Sequence, residues 1–268
     1  MAAPQIDLVD RWAAQLAGWA IPAEILAGAP EPPWGFEPAE FAVGRAGPVE
    51  TASSSVERDV LPAGGSVLDV GSGGGRGSLV LAPPAGLIRA VDESQAMLDL
   101  LVETAEEGGV EVVTHHGRWP DIADSVPPAD VVVSHHVVYN VPDIVPFLVA
   151  LTDHARLAVV VELTSSHPMT GWSDAWRQFW GLERPPGPTA DDFVAIVRQL
   201  GWSPETWRRQ RSLEDLPFLD PERAVRSTRR RLCLPVERTD EVADYLREHP
   251  LQWPSEVVTV RWPGQERR

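Results

Sequence analysis

The 268-residue chain contains no lysine, and all 23 of its basic residues are arginine. This absence excludes Schiff-base chemistry on a lysine and a P-loop, which requires a Gly-Lys-Ser/Thr ending. Basic charge is also scarce beside 39 Asp and Glu residues, which give a formal net charge of -16. Because a surface that follows nucleic-acid phosphates needs positive potential, the composition disfavours a nucleic-acid partner and favours a small molecule.

Cysteine and long apolar runs are equally sparse. Cys233 is the only cysteine, which excludes an intramolecular disulfide and is typical of the reducing cytoplasm. No stretch approaches the roughly 18 apolar residues of a membrane span. Asp7 and Asp10 stand where an export signal carries basic residues. Since 43% of the residues are hydrophobic, the chain can still bury a core. We therefore predict a cytoplasmic globular protein with no membrane segment.

Glycine is concentrated in one segment, residues 66–77, with the sequence SVLDVGSGGGRG. Its first residues predict a buried strand that reaches Asp69 and stops at a loop almost without side chains. A ligand can lie against the backbone of such a loop. LIRAVD then predicts a second strand ending in Asp92, at the spacing of about twenty residues typical of an acid that binds a ribose. The two segments together predict a nucleoside-shaped pocket.

Beyond this loop the sequence alternates between predicted strands and helices, which is typical of a parallel sheet covered on both faces. Further strands are predicted at 110–115, 131–136, 155–164, 203–210 and 255–262, and helices at 6–20, 48–61, 94–107, 143–154 and 240–249. We divide the chain into an N-terminal helical cap, 1–62, and an α/β domain, 63–268, with insertions after strands five and six. Trp172, Trp176 and Trp180 follow strand five, and we interpret them as core residues rather than a substrate wall.

The spacing of the glycines separates the remaining nucleotide-binding interpretations. A dinucleotide loop has glycines at its first, third and sixth positions, but the sixth position counted from Gly71 is Arg76. The chain instead has an acid followed by glycines at every second position, namely Asp69, Gly71, Gly73 and Gly75. In this motif it resembles the class I S-adenosylmethionine-dependent methyltransferases, over roughly residues 67–161.

The resemblance implies a fold and a cofactor. The fold is a seven-stranded, mostly parallel sheet of order 3-2-1-4-5-7-6, with an antiparallel last strand and helices on both faces. The cofactor is S-adenosyl-L-methionine, whose ribose hydroxyls would bind Asp92. Family members often hold the adenine with an acid after the third strand, where this chain has Arg118. The cofactor contacts implied beyond the glycine motif and Asp92 are Ser72, Glu93, Met97, Arg118, Trp119 and Ser134.

Catalytic candidates follow the predicted fourth strand. Methyl transfer from a sulfonium depends largely on positioning, so a base is optional. For a hydroxyl or a protonated amine acceptor, His135, His136 or Tyr139 would help to remove a proton. The alternative is that one imidazole packs in the core and the other is solvated. We predict no metal site, because adjacent histidines on a strand point to opposite faces and no cysteine or carboxylate cluster completes a ligand set.

The sequence therefore predicts S-adenosylmethionine-dependent methyl transfer to a small-molecule acceptor. One alternative is an NAD(P)-dependent oxidoreductase or epimerase, since Asp92 also suits a nicotinamide ribose. Another is a protein that binds S-adenosylmethionine without catalysis. DNA amino methylation is disfavoured, because VVVSHHVVYN replaces the Asn/Asp-Pro-Pro-Tyr motif of that branch. The arginines of residues 223–231 are interpreted as a solvated helix face. The acceptor and the oligomeric state stay open.

Overall fold

Seven strands form one sheet in the computed structural model, which describes residues 7–34, 50–211 and 220–265. The strands are β1 Ser66–Val70, β2 Leu87–Asp92, β3 Val112–His116, β4 Ala129–His135, β5 Ala155–Thr164, β6 Glu205–Gln210 and β7 Glu256–Pro263. Their order is β3-β2-β1-β4-β5-β7-β6. Strand β7 runs antiparallel to both of its neighbours, and the pairs from β3 to β5 are parallel. The predicted fold class is confirmed.

The described helices are α1 Leu8–Ala17, α2 Ala23–Ala27, α3 Ser54–Arg58, α4 Gln95–Gly108, α5 Ile144–Asp153, α6 Ser173–Trp180, α7 Ala190–Gln199, α8 Pro221–Arg231 and α9 Thr239–Glu248. Within the described residues, none of them is long and apolar enough to cross a bilayer. The helix predicted over 48–61 is restricted to α3. Helix α4 includes Gly108, and the left-handed residue that ends it is Gly109, with φ 67°.

Helices on both faces explain why the central strands are continuous runs of valine. Val131–Val133 in β4 and Val159–Val161 in β5 are fully buried. One core lies between the sheet and the helices α1, α5 and α7. The other lies under α3 and the short turn 79–81. A β-branched side chain on either face of these strands therefore packs against a layer of other side chains.

The predicted insertions form a third cluster, in which α6, α8 and α9 pack together with α2. Trp172 and Trp176 are each 2% exposed and lie in its core, which confirms their interpretation as core residues. Trp180 lies at the rim, where its Nε1 donates to the Leu232 carbonyl at 2.7 Å. The four-residue spacing of these tryptophans therefore reflects packing of the insertions and not a wall facing a substrate.

The arginines of α8 do not all lie on a solvated face. Arg226 is exposed near Glu222, as predicted. Arg229 is instead mostly buried and pairs with Glu31, and Arg231 is buried with its guanidinium over the Trp172 ring. The prediction was wrong for these two because one side of α8 packs on the third cluster, where a guanidinium can stack on an aromatic ring.

Two tryptophans attach the N-terminal segment to the carboxyl-terminal side of the sheet. Trp12 Nε1 donates to the carbonyl of Val141, after β4, at 2.9 Å. Trp19 Nε1 donates to the carbonyl of Gly187, before α7, at 2.7 Å. Both indoles are buried. Trp34, in contrast, is exposed. The segment thus lies beside the loops that follow β4 and β5.

Helix α7 begins with a capping box whose contribution can be measured. Asp192 N donates to the Thr189 hydroxyl at 3.1 Å, and Thr189 N donates to the Asp192 carboxylate at 3.0 Å. We expect Thr189→Ala to lower the free energy of unfolding by about 1 kcal/mol, because the helix loses the acceptor for its N-terminal N–H groups. Thr189→Ser, which keeps the hydroxyl, is the control in thermal unfolding. Equal midpoints for the two variants would contradict this expectation.

Candidate active site

The loop between β1 and the turn 79–81, residues 71–77, is called the glycine loop. Gly71 has φ 72° and Gly75 has φ 82°. A Cβ on Gly71 would stand 2.3 Å from Val137, and one on Gly75 would stand 2.8 Å from Leu79. Gly73 also has a positive φ, 50°, but a Cβ there would meet no atom within 4 Å. The loop is therefore tightly packed at its ends and open to a ligand at Gly73.

Asp92, at the end of β2, lies beside the open part of the glycine loop. Its Oδ2 accepts the Gly73 N–H at 2.8 Å, and its Oδ1 accepts the Ser94 N–H at 2.8 Å. Each carboxylate oxygen has a second lone pair, so both can accept a further hydrogen bond. The structure thus brings together the two features that the sequence placed about twenty residues apart.

The other predicted cofactor residues surround this position unevenly. Glu93 is exposed and Met97 is half-buried at the start of α4. The Ser72 hydroxyl is buried without a hydrogen-bond partner in the described structure. The Ser134 hydroxyl is buried too, and it donates to the Val70 carbonyl at 2.9 Å, joining β4 to β1. Their roles toward a cofactor stay predictions.

The two predicted cofactor contacts in the segment after β3 differ in their exposure to solvent. Arg118 is exposed. The Trp119 indole is 6% exposed and lies in the core, edge-on to the His154 ring at 4.9 Å between centroids. The backbone of this segment is therefore the part that could meet an adenine, and both assignments stay predictions.

A row of polar side chains crosses the sheet next to the glycine loop. His135 of β4, Glu162 of β5 and Thr259 of β7 are paired in register and share one face. His135 Nε2 lies 2.6 Å from Glu57 Oε1 of α3, and both side chains are almost fully buried. Its Nδ1 would lie 2.9 Å from a Cβ on Gly77. The imidazole of His135 therefore packs directly against the glycine loop.

Burial and the neighbouring charges shift the pKa values of the side chains around this row in opposite directions. Burial disfavours a charged imidazole, but Glu57 and Glu162 outweigh it and raise the pKa of His135 to about 10. Burial raises the pKa of Asp69 to about 6, although the Ser78 hydroxyl and His135 favour its charged form. His135 is thus an imidazolium at neutral pH. It supplies a fixed positive charge, which explains how two buried carboxylates are tolerated.

The second histidine has a different environment. His136 has φ 59°, a conformation uncommon for a residue with a side chain, and its imidazole is 46% exposed. Its Nε2 lies 3.1 Å from Glu162 Oε1. Glu162 Oε2 in turn accepts from Ser53 N and from the Ser53 hydroxyl, at 3.1 and 2.8 Å. Adjacent histidines therefore face two different carboxylates.

Glu162 is ionised in this setting. Burial by itself would raise its pKa, but His135, His136 and the Ser53 hydroxyl hold the pKa of Glu162 well below its usual range. Neither Glu57 nor Glu162 was among the residues predicted from the sequence. The signal for Glu162 was present, because an acid inside the apolar run AVVVELT must be paired when the strand is buried. Glu57, in a short polar helix, gave no such signal.

Tyr139 is a buried phenol near the ends of β4 and β5. Its hydroxyl lies 2.6 Å from Thr164 Oγ1, and burial raises the pKa of Tyr139 above its usual value. The ring meets His167 edge-on at 5.5 Å, and His167 stacks on Trp19 at 4.4 Å. Burial lowers the pKa of His167 to about 3, so this imidazole is neutral. His167 is a further residue that the sequence reasoning missed.

No group of three His, Cys, Asp or Glu side chains suited to a metal ion occurs in the described ranges. A surface cleft of about 230 Å³ lies between α6 and α9, lined by Gln178, Phe179, Glu241, Asp244, Tyr245, Glu248 and His249. It contains no residue of the glycine loop or of the polar row. The chemistry of the site therefore lies at the carboxyl ends of β1, β2, β4 and β5.

Comparison with known proteins gives a match over the part of the chain that contains the glycine loop and Asp92. Residues 67–156 match a family model described as a methyltransferase domain. An uncharacterized protein of Haemophilus influenzae is 39% identical over 70 residues, 26% of this chain and 26% of that protein. The chain therefore aligns with about a quarter of the length of this relative.

Two solved structures show the fold. An S-adenosylmethionine-dependent methyltransferase from Geobacter sulfurreducens, in complex with S-adenosyl-L-homocysteine, has a TM-score of 0.52 at 19% identity, covering 85% of this chain and 96% of the other. The YcgJ protein from Bacillus subtilis has a TM-score of 0.54 at 14% identity, covering 80% and 99%. The match over residues 67–156 and the shared fold agree with the predicted resemblance.

The pair of Glu57 and His135 makes stability depend on pH. The unfolded histidine has a pKa of 6.5 and the folded one about 10. The stabilisation is therefore complete below pH 6.5 and is lost as the pH rises to about 10. We expect Glu57→Gln to reduce this slope and to lower the free energy of unfolding by about 3–5 kcal/mol, because His135 loses its buried hydrogen-bond partner.

The measurement is denaturant unfolding at a series of pH values, with the His135 imidazole followed by NMR. The double variant Glu57→Gln/His135→Gln is the control, since it removes both members of the pair and should lose less than the sum of the single losses. Additive losses, or an unchanged pH slope in Glu57→Gln, would show that the pair is not coupled.

Proposed function

We propose that the protein transfers a methyl group from S-adenosyl-L-methionine to a small-molecule acceptor. Its residues 67–156 match a family model described as a methyltransferase domain. The observation that carries the proposal is the open backbone at Gly73 next to the oriented carboxylate of Asp92. When bound, this cofactor supplies a methyl group already activated on a sulfonium, so alignment with the acceptor provides much of the rate.

The donor side of the site fits a cofactor without phosphates. The loop contains no lysine, and its one arginine, Arg76, is exposed. Gly73 leaves room for a ligand against the backbone, and Asp92 keeps lone pairs for two ribose hydroxyls. The buried Ser72 hydroxyl, which has no partner in the described residues, offers a hydrogen bond to a polar ligand group.

The proposed donor site includes the rest of the predicted set. Asp69, Gly71 and Gly75 shape the loop from beneath, and Ser134 fixes β4 against β1. We place the adenine beside Glu93 and Met97, with the backbone of the segment at Arg118 and Trp119 closing the other side. In this arrangement the indole of Trp119 supports the segment from the core.

The acceptor side is proposed at the carboxyl ends of β4 and β5. Tyr139 contacts Thr164 there, His136 follows the end of β4, and Trp19 reaches the same region from the N-terminal segment through His167. The hydrogen bonds of Trp12 and Trp19 hold that segment over the loops. The N-terminal segment therefore helps to exclude water and to select the acceptor.

Measurements of ligand binding and of turnover distinguish two alternative functions from the proposed one. A nicotinamide-dependent oxidoreductase is disfavoured by Arg76 at the sixth loop position and would bind NADH. A protein that binds the cofactor without turnover would bind S-adenosylmethionine and methylate nothing. A cytoplasmic location is part of the proposal, supported by Cys233, a buried free thiol.

Substitution of Gly73 tests the donor site. Gly73→Ala adds a methyl group to the open side of the loop, so we expect at least tenfold weaker binding of S-adenosylmethionine by calorimetry. Gly109→Ala is the matched control, because Gly109 also has a positive φ, 67°, and open space at its Cβ position. Both variants should lose about 1 kcal/mol of stability from the strained backbone, but only Gly73→Ala should lose affinity. Equal affinities would place the ligand elsewhere.

Substitution of Asp92 tests ribose recognition. Asp92→Asn keeps one acceptor oxygen and removes the other, so we expect a fall in S-adenosylmethionine affinity of about tenfold or more, from the loss of a charge-assisted hydrogen bond. Asp99→Asn removes an equal charge from the exposed face of α4 and should bind as the wild type does. Calorimetry with S-adenosylhomocysteine gives the same comparison without turnover. Wild-type affinity in Asp92→Asn would contradict the assignment.

A further inference from the structure

We propose that Glu162 is a positioning residue that presents His136 as a general base, and that the acceptor is therefore a hydroxyl compound that enters with its proton. This inference rests on the proposed methyl transfer and deepens it by naming the class of acceptor. It starts from the contact between His136 Nε2 and Glu162 Oε1 at 3.1 Å.

The contact fixes the tautomer of a neutral His136. An ionised carboxylate can only accept hydrogen bonds, so the imidazole proton resides on Nε2, facing Glu162. The lone pair is then on Nδ1, which has no hydrogen-bond partner within residues 7–34, 50–211 and 220–265. Because the side chain is 46% exposed, this nitrogen is accessible to a substrate.

Glu162 is itself held in place from two directions. Ser53 donates its N–H and its hydroxyl to Oε2, which leaves Oε1 for His136. The Ser53 hydroxyl also contacts the Thr259 hydroxyl of β7 at 2.7 Å. A buried carboxylate anchored in this way can orient an imidazole, which is the role of the acid in hydrolytic triads.

The backbone of His136 is held in an unfavourable conformation. Its φ of 59° is left-handed, and its N–H donates to the Glu162 carbonyl at 2.8 Å. Strain of this kind persists where surrounding contacts enforce it, and it is frequent at functional sites. Here the turn directs the imidazole back toward Glu162 at the carboxyl edge of β4.

Neither of the neighbouring candidates can act as the base. His135 is enclosed with Glu57 and carries a proton at neutral pH, so it has no lone pair to offer. Tyr139 is buried, and its phenol keeps its proton because burial raises its pKa. The charged groups packed around His136 are Glu162 on β5, His135 on β4 and, behind it, Glu57 on α3.

A base is useful only for an acceptor that carries a proton. A carboxylate acceptor has already lost its proton at neutral pH and gains nothing from His136. An ammonium acceptor would bring a positive charge next to the sulfonium and the imidazolium of His135, which is unfavourable. A neutral alcohol or phenol avoids this repulsion, and its proton is the one that His136 can remove.

The proposed step moves one proton to His136 and one methyl group to the acceptor oxygen. The acceptor hydroxyl gives its proton to His136 Nδ1 as its oxygen forms the new O–CH₃ bond. The C–S bond of the methyl donor breaks, and its electron pair remains on sulfur as a thioether. The imidazolium is stabilised by Glu162 until the proton passes to solvent.

The experiment measures transfer of radiolabelled methyl groups from S-adenosylmethionine to a panel of alcohols, phenols and catechols, together with matched benzoic acids. We expect methylation of hydroxyl acceptors only, with kcat rising with pH through one ionisation. His136→Gln should lower kcat at least 100-fold with an unchanged affinity for S-adenosylhomocysteine, as is typical for loss of a general base. Glu162→Gln should lower kcat about tenfold and move the pH profile to lower pH, because the imidazole loses its carboxylate.

His249→Gln is the matched control, because it changes another exposed histidine, directly after α9, and should leave kcat unchanged. NMR of the His136 imidazole gives a readout that does not need turnover, with the Nε2–H tautomer expected in the wild type and a mixture of tautomers in Glu162→Gln. Methylation of a benzoic acid, no methylation of any hydroxyl acceptor, or an unchanged His136 tautomer in folded Glu162→Gln would overturn the inference. Failure of the wild type to bind S-adenosylmethionine would instead overturn the proposed function.

Discussion

Burial of charge on one face of the sheet is the constraint on which the rest of the site depends. His135 lies between Glu57 and Glu162, where a positive charge is surrounded by carboxylates and almost no water. Either acid alone would be costly to bury, and the imidazolium makes both of them stable. The packing of α3, the position of the glycine loop and the orientation of the exposed His136 all follow from this arrangement.

This row of charges connects the two halves of the site. Toward the donor side, His135 packs against Gly77 and stabilises Asp69 beneath the loop. Toward the acceptor side, Glu162 contacts His136. Because the same buried groups contact both sides, the geometry of the loop and that of the histidine are fixed by one set of hydrogen bonds. A methyl donor and an acceptor bound on the two sides would be aligned by a rigid sheet.

Much of the fold and of the donor site was predictable because the signals are local. Strand β5 was predicted at its observed bounds from a mostly apolar run, and Asp92 was placed next to the loop by its spacing from the glycines. The acceptor side was less accessible. Glu57 and Glu162 lie more than one hundred residues apart and share a site only because α3 packs on β4 and β5. The burial of Trp119 was also unpredictable, because the direction of a side chain depends on neighbouring elements.

The methyl donor was implied by the resemblance to the class I methyltransferases. The sequence by itself determined the class of the sheet and the position of the glycine loop. These depend on periodicity and on residue types whose backbone preferences act within a few positions. The tertiary structure decided how the two adjacent histidines differ. His135 is buried and charged against Glu57, whereas His136 is exposed beside Glu162. His136 lies just beyond the end of β4 with a left-handed backbone, and only the folded chain determines which carboxylate each histidine meets.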